Sequence, residues 1–338
     1  MPLKKEKYNF TKNIILEKKI KELSDILKPS ESILELDSSY EQKPNLFIMG
    51  CPRSGTSLLY QLFANCGAFS YPSNFLSRFY SSLGVGSKIQ NLLFSDELQY
   101  RDELSLKQVV NNPYESVLGK TKGALSPNVF WYFWYYHYNL DQKGYLNKNE
   151  WSKFDHSKFL KELGLMQQEF KKPIVMKASV INWNVIQFSK LMPNALFIRI
   201  KRNRYDVANS IYNARKTHSG NFKSWWSFKP PEYQKILALP AKEQVAAFYL
   251  SIEKALDISF RLLPEDKKIV IEYEDLCRNP NTIFDLTKKK YKTTGTSLCF
   301  NSVASFNTSK NSKENKSNWY EAFNQASHKI EFSNIHDL

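Results

Sequence analysis

The chain has 338 residues, 42% hydrophobic and 14% aromatic, which is enough apolar surface for a packed core and excludes a globally disordered polymer. Lys and Arg number 48 against 33 Asp and Glu, a net charge of +15 that points to anionic partners: phosphorylated or sulfated small molecules, acidic glycans, acidic lipid or nucleic acid. Cys51, Cys66, Cys277 and Cys299 stand far apart with no CxxC pair or Cys/His cluster, which argues against a zinc finger or a disulfide scaffold and for a reducing compartment.

Residues 4–28 carry apolar positions at Ile14, Ile15, Ile20, Leu23, Ile26 and Leu27 among charges, a spacing that predicts an amphipathic helix stopping at Pro29. The N-terminus lacks the apolar core of a signal peptide, and no window reaches the ~18 apolar residues of a membrane span. A cytoplasmic protein is expected, with peripheral membrane contact through the basic N-terminal helix left open. The apolar run Leu46–Met49 then leads into Gly50-Cys51-Pro52-Arg53-Ser54-Gly55-Thr56-Ser57, followed by Leu58, Leu59, Leu62 and Phe63 at helical spacing. That pattern is strand, tight loop, helix. Residues 70–172, about a hundred, are too many for a plain crossover and read as a mostly helical insertion, with the aromatic run 130–138 inside it. Further short strands are expected at 173–177, 195–200 and 268–272, and helices at 182–191, 205–215, 241–263 and after Pro280. Buried strands alternating with helices predict an α/β fold in three layers, a central parallel sheet flanked by helices in the manner of phosphate-loop proteins. One domain over 1–338 is expected, with 1–40 as an N-terminal helical appendage, 70–172 as a substrate cap and 291–338 as a C-terminal segment. The Lys/Asn/Ser-rich stretch 307–318 reads as an exposed loop.

The first loop has the glycine spacing and final hydroxyl of GxxxxGK[ST], with Thr56 where the lysine would be and Arg53 supplying a cation nearby. Glycines let backbone N–H groups turn onto an anion while the next helix points its positive end at it, and Arg53 adds a planar fork of donors. Lys177 stands where a nucleoside triphosphatase would carry a magnesium-binding aspartate, so the loop suits a diphosphate-like anion with no metal required. A second basic element, Ile198-Arg199-Ile200-Lys201-Arg202-Asn203-Arg204-Tyr205-Asp206-Val207-Ala208-Asn209-Ser210, puts Arg202 just past a strand and Ser210 two helical turns on, a spacing able to bring both to one phosphate. Asp206 suits the dipole of that helix.

These residues resemble the sulfotransferases that use 3′-phosphoadenosine 5′-phosphosulfate. Pro52-Arg53-Ser54-Gly55-Thr56-Ser57 is similar to their 5′-phosphosulfate loop. Arg202 to Ser210 resembles their Arg-Asn-Pro-x-Asp-x-x-x-Ser motif, in which arginine and serine bind the 3′-phosphate, and Tyr273-Glu274-Asp275-Leu276 resembles a third, late motif. The resemblance covers about residues 45–290 and implies transfer of a sulfuryl group from that donor to a hydroxyl or amine, leaving adenosine 3′,5′-bisphosphate. It departs from the family pattern at Arg204, which replaces a proline, and at Lys177-Ala178-Ser179, where cytosolic members carry Lys-Thr-His with the histidine as catalytic base. Segment 71–78 offers none of the glutamates that other members use.

Under this reading Arg53 and the loop amides stabilise charge on the leaving phosphate, Thr56 and Ser57 fix its oxygens, and Lys177 reaches the group in transfer. His137, within the aromatic insertion, is the first candidate for the base, with Glu115 and Asp102 behind it. Residues 130–138 and Trp225-Trp226-Ser227-Phe228 are core packing by default and acceptor platforms otherwise. Lys310, Lys313 and Lys316 form a basic segment that either folds over the nucleotide or is merely solvated. The expected acceptor is a carbohydrate or small molecule, not nucleic acid. A phosphate-loop small-molecule kinase and a non-catalytic nucleotide- or glycan-binding relative stay open beside the sulfotransferase reading.

Overall fold

A computed structural model describes residues 13–98, 101, 104–106, 113–140, 143–307, 312–336 and 338. In chain order it contains α1 (Ile14–Ile33), β1 (Leu46–Met49), α2 (Thr56–Asn65), α3 (Leu83–Phe94), α4 (Trp131–Tyr138), α5 (Lys148–Trp151), α6 (His156–Phe170), β2 (Val175–Lys177), α7 (Val185–Leu191), β3 (Leu196–Lys201), α8 (Arg204–Ser219), α9 (Tyr233–Leu237), α10 (Ala241–Leu262), β4 (Lys268–Glu272), α11 (Tyr273–Arg278), α12 (Pro280–Lys292) and α13 (Ser312–Lys329). The four strands form one parallel sheet in the order β2-β1-β3-β4.

Side chains alternate across a strand, so β1, β2 and β3 each feed two cores. Phe47, Met49, Met176 and Phe197 face one side, where they join α7, α8, α10, α13 and the aromatic insertion; the Phe47 and Phe197 rings stack at 5.6 Å. Leu46, Ile48, Val175, Ile198 and Ile200 face the other side, packing on α2, α11 and α12. Burial on both faces explains why β1 reads as an unbroken apolar run, whereas the edge strand β4 alternates buried Ile269 and Ile271 with exposed Val270 and Glu272. All four strands point the same way, so the residues that follow them gather at one carboxyl edge.

The insertion is helical, as expected, in α3, α4, α5 and α6. Phe130, Phe133, Trp134 and Tyr138 are buried in its core with Phe159 and Phe188, so most of the aromatic run packs internally. Trp225 and Phe228 do the same against Tyr233, Phe248 and Trp183.

Two boundaries differ from the sequence expectation. α1 does not stop at Pro29 but carries it within the helix and continues to Ile33. The extra turn is held by Glu31, whose two carboxylate oxygens accept from the Gly84 and Val85 amides at 2.8 Å each and so cap the start of α3. In the stretch 307–318, residues from Ser312 onward belong to α13 rather than to a loop. Trp319, Phe323 and Ala326, at helical spacing, bury that helix against α8 and α10 and outweigh the polar composition of its first turns. All four cysteines are free, and among the described residues no helix is long and apolar enough to cross a membrane.

Candidate active site

The carboxyl edge of the sheet is built around the loop between β1 and α2. Gly50 and Gly55 have φ of 148° and 105°, and Arg53, a non-glycine residue, sits at 71°. A left-handed arginine is a strained choice, and the loop holds it with short bonds from the Ser54 amide and hydroxyl to the Cys51 carbonyl, at 3.1 and 2.7 Å. Gly55 is the residue before α2, and no side chain caps that helix. Its first amides are therefore presented at the loop, which is the condition for binding an anion there.

Gly55 is also required by Tyr273, the first residue of α11, which directly follows β4. A Cβ at that position would lie 2.5 Å from Cδ2 of Tyr273. The same ring carries the Arg202 guanidinium, 4.2 Å from its centroid, so the residue after β4 supports both the loop and the cation after β3. Arg202 donates through Nη1 to the Arg53 carbonyl at 3.2 Å, and Arg53 donates through Nε to Ser210 Oγ at 3.0 Å. Arg53, Arg202 and Ser210 thus meet in space, although about 150 residues separate the loop from the other two. Burial, and then the neighbouring Arg202 charge, pull the Arg53 guanidinium below its usual range.

Lys177, the last residue of β2, donates from Nζ to Ser57 Oγ at 2.9 Å. Its pKa is lowered to about 7, first by burial and then by the charges of Arg53 and Lys120. Such a cation is stabilised by any anion placed against it. The remaining loop residues divide by role. Pro52, Ser54 and Thr56 are buried and shape the turn, with the Ser54 hydroxyl already used inside it, whereas Ser57 faces Lys177.

Not every residue proposed from the sequence joins this group. His137 is buried in the insertion, with Nε2 3.1 Å from Glu162 Oε2 and its ring among Phe133, Tyr136, Tyr138 and Phe159. Every one of those partners belongs to the insertion. Arg204, the departure from the proline, stacks on Tyr205 and on Phe323 of α13 and donates to the Tyr205 hydroxyl at 2.7 Å; it ties α8 to the C-terminal helix. Asn203 caps α8 by accepting from the Tyr205 amide at 3.0 Å. Glu115 is exposed, and its carbonyl accepts from Gln61. Asp102, Lys310 and the Lys313 side chain lie outside the described residues, and Lys316 is exposed.

Sequence reading missed two contributors. Asn182 is fully buried, and its amide pairs with both backbone groups of Gly50: Nδ2 donates to the carbonyl at 3.1 Å and Oδ1 accepts from the amide at 3.3 Å. Two residues on, Asn184 does the same for Leu146 of the insertion, at 2.9 and 2.8 Å. One segment thereby pins loop and insertion together, and only the Asn-x-Asn spacing signalled it. The second is the turn Val117-Leu118-Gly119-Lys120, whose tip rests on Ser57 and Lys177; Leu118-Gly119 between two hydrogen-bonding residues is the signal that was available.

A parallel α/β sheet with an uncapped helix and several cations at its carboxyl edge is suited to holding an anion. The family model described as "Sulfotransferase family" matches residues 44–285, and the chain belongs to that family. Sulfotransferase STF1 from Mycobacterium tuberculosis H37Rv is similar in fold, with 10% identity, 92% of this chain and 80% of that chain covered, and a TM-score of 0.51. STF9 from Mycobacterium avium aligns at 12% identity over 94% of this chain and 74% of that one, with a TM-score of 0.47. No curated protein matches the chain.

Proposed function

We propose that this sulfotransferase moves a sulfuryl group from 3′-phosphoadenosine 5′-phosphosulfate to a hydroxyl or amine of a carbohydrate or small-molecule acceptor, without a metal ion. The observation that carries the reading is the convergence of Arg53, Ser57, Lys177, Arg202 and Ser210 at the carboxyl edge, arranged as two adjoining cationic centres. The residues fit such a donor: the uncapped α2 amides and Arg53 suit the 5′-phosphate, Arg202 and Ser210 suit the 3′-phosphate, and Lys177 with Ser57 suits the sulfonate. The bound donor supplies an S–O bond that breaks with its electron pair going to the phosphate oxygen while the acceptor oxygen or nitrogen bonds to sulfur and gives up its proton to solvent water. Arg53 and the loop amides stabilise the charge arriving on that phosphate, and Lys177 neutralises the sulfonate oxygens as they pass between two partners. Tyr273 and Asn182 hold this geometry without touching the reacting atoms.

The test is transfer of label from ³⁵S-labelled donor to a panel of glycans, phenols and lipids in the presence of EDTA. Activity that falls about 100-fold or more in Lys177→Met and Arg53→Ala supports the proposal. Transfer indifferent to both substitutions, or magnesium-dependent transfer of phosphate from ATP in its place, overturns it.

A further inference from the structure

The turn at 117–120 is a two-residue hairpin: Leu118 and Gly119 have φ of 50° and 82°, and the Val117 and Lys120 backbones exchange two bonds of 2.9 Å. It is anchored to the loop helix by Gln61 of α2, a buried side chain whose Nε2 donates to the Pro113 and Glu115 carbonyls at 3.0 Å each. The tip lies directly on the transfer centre. A Cβ at Gly119 would be 3.1 Å from Ser57 Oγ and 3.7 Å from Lys177 Nζ. Gly119 leaves that space open, and the next residue, Lys120, is exposed at its rim.

Lys120 is surplus to the donor. Arg53, Lys177 and Arg202, all at strand ends or in the loop, are the cations assigned above to the phosphosulfate and the 3′-phosphate, whereas Lys120 comes from the hairpin of the insertion. Its charge is felt at Lys177, and its side chain makes no ion pair among the described residues. An exposed cation with no carboxylate partner, next in the chain to the Gly119 that lies over a centre already positive, fits a negative charge brought by the second substrate. We propose that Lys120 is a specificity residue that binds a carboxylate or sulfate carried by the acceptor next to the group that receives sulfur. The inference rests on the sulfuryl-transfer reading above.

The test uses a matched pair, 4-nitrophenyl β-D-glucuronide and 4-nitrophenyl β-D-glucoside, titrated into protein already saturated with adenosine 3′,5′-bisphosphate. Wild type is expected to bind the glucuronide about tenfold more tightly, the value of one partly exposed charge-assisted contact. Lys120→Gln brings the two sugars to within about twofold and leaves affinity for the glucoside and the nucleotide unchanged; Lys120→Arg keeps most of the preference. Equal affinity of wild type for both sugars, including no binding of either, overturns the inference, as does a preference that survives Lys120→Gln. A loss of nucleotide affinity in Lys120→Gln assigns the ammonium to the donor and also overturns it. Failure of wild type to bind the nucleotide in the first titration is a separate result that removes the donor reading itself.

Discussion

Lys177 gives the site a titration of its own. Its folded-state pKa of about 7 lies below the ~10.4 of an unfolded lysine, so between those values the unfolded chain binds the extra proton and stability of the free protein rises with pH. An anion against Nζ favours the ammonium, so donor binding takes up a proton, and affinity falls as pH rises above about 7, by up to about tenfold per unit. Calorimetry of the donor from pH 6 to 9 should show that slope in wild type and a flat line in Lys177→Met; a slope in the variant would assign the proton elsewhere. At Gly55 the expected effect is steric. Gly55→Ala meets both a φ of 105° and the Tyr273 ring, and should lower unfolding free energy by about 2 kcal/mol or more, measured in urea. His137 is expected to behave as part of the core of the insertion: His137→Asn should lower the melting temperature and leave the donor KM unchanged.

Single elements position these residues, and the least visible is the segment from Ser179 to Asn184. Asn182 and Asn184 act as substitute backbone, each completing a pair of main-chain bonds in a neighbouring segment. Asn182→Ala leaves the Gly50 amide and carbonyl unmatched in a buried place, at a cost of about 1–3 kcal/mol for such groups. Because Gly50 opens the loop, the donor KM should rise while the acceptor KM stays near its wild-type value; no change in either would separate Asn182 from the site. The same scale explains the two misplaced boundaries. Proline marks a helix end through local geometry, yet the carboxylate of Glu31, held by α3, carries α1 past Pro29. Polar residues before Asn318 suggest a loop, yet Trp319, Phe323 and Ala326 commit the chain to α13. In both places a tertiary contact outweighed the local signal.

For the whole molecule, what was legible followed from periodicity and short-range chemistry. Four apolar runs became four parallel strands, and the loop, Lys177, Arg202 and Tyr273 all stand at strand ends, where the order of elements puts them. The register that brings Arg53 onto Ser210, or Gly119 onto Ser57, is a property of distant segments that no local pattern encodes. Reading a nucleotide that carries phosphate at both the 5′ and 3′ positions is the role proposed for the two cationic centres. Its most direct measurement is calorimetric affinity for adenosine 3′,5′-bisphosphate beside AMP and ATP with magnesium, in wild type and Arg202→Ala. The bisphosphate is expected to bind wild type at least about 100-fold more tightly than AMP, and Arg202→Ala is expected to remove most of that difference. Equal affinity for bisphosphate and AMP, or tighter binding of ATP with magnesium, would contradict it.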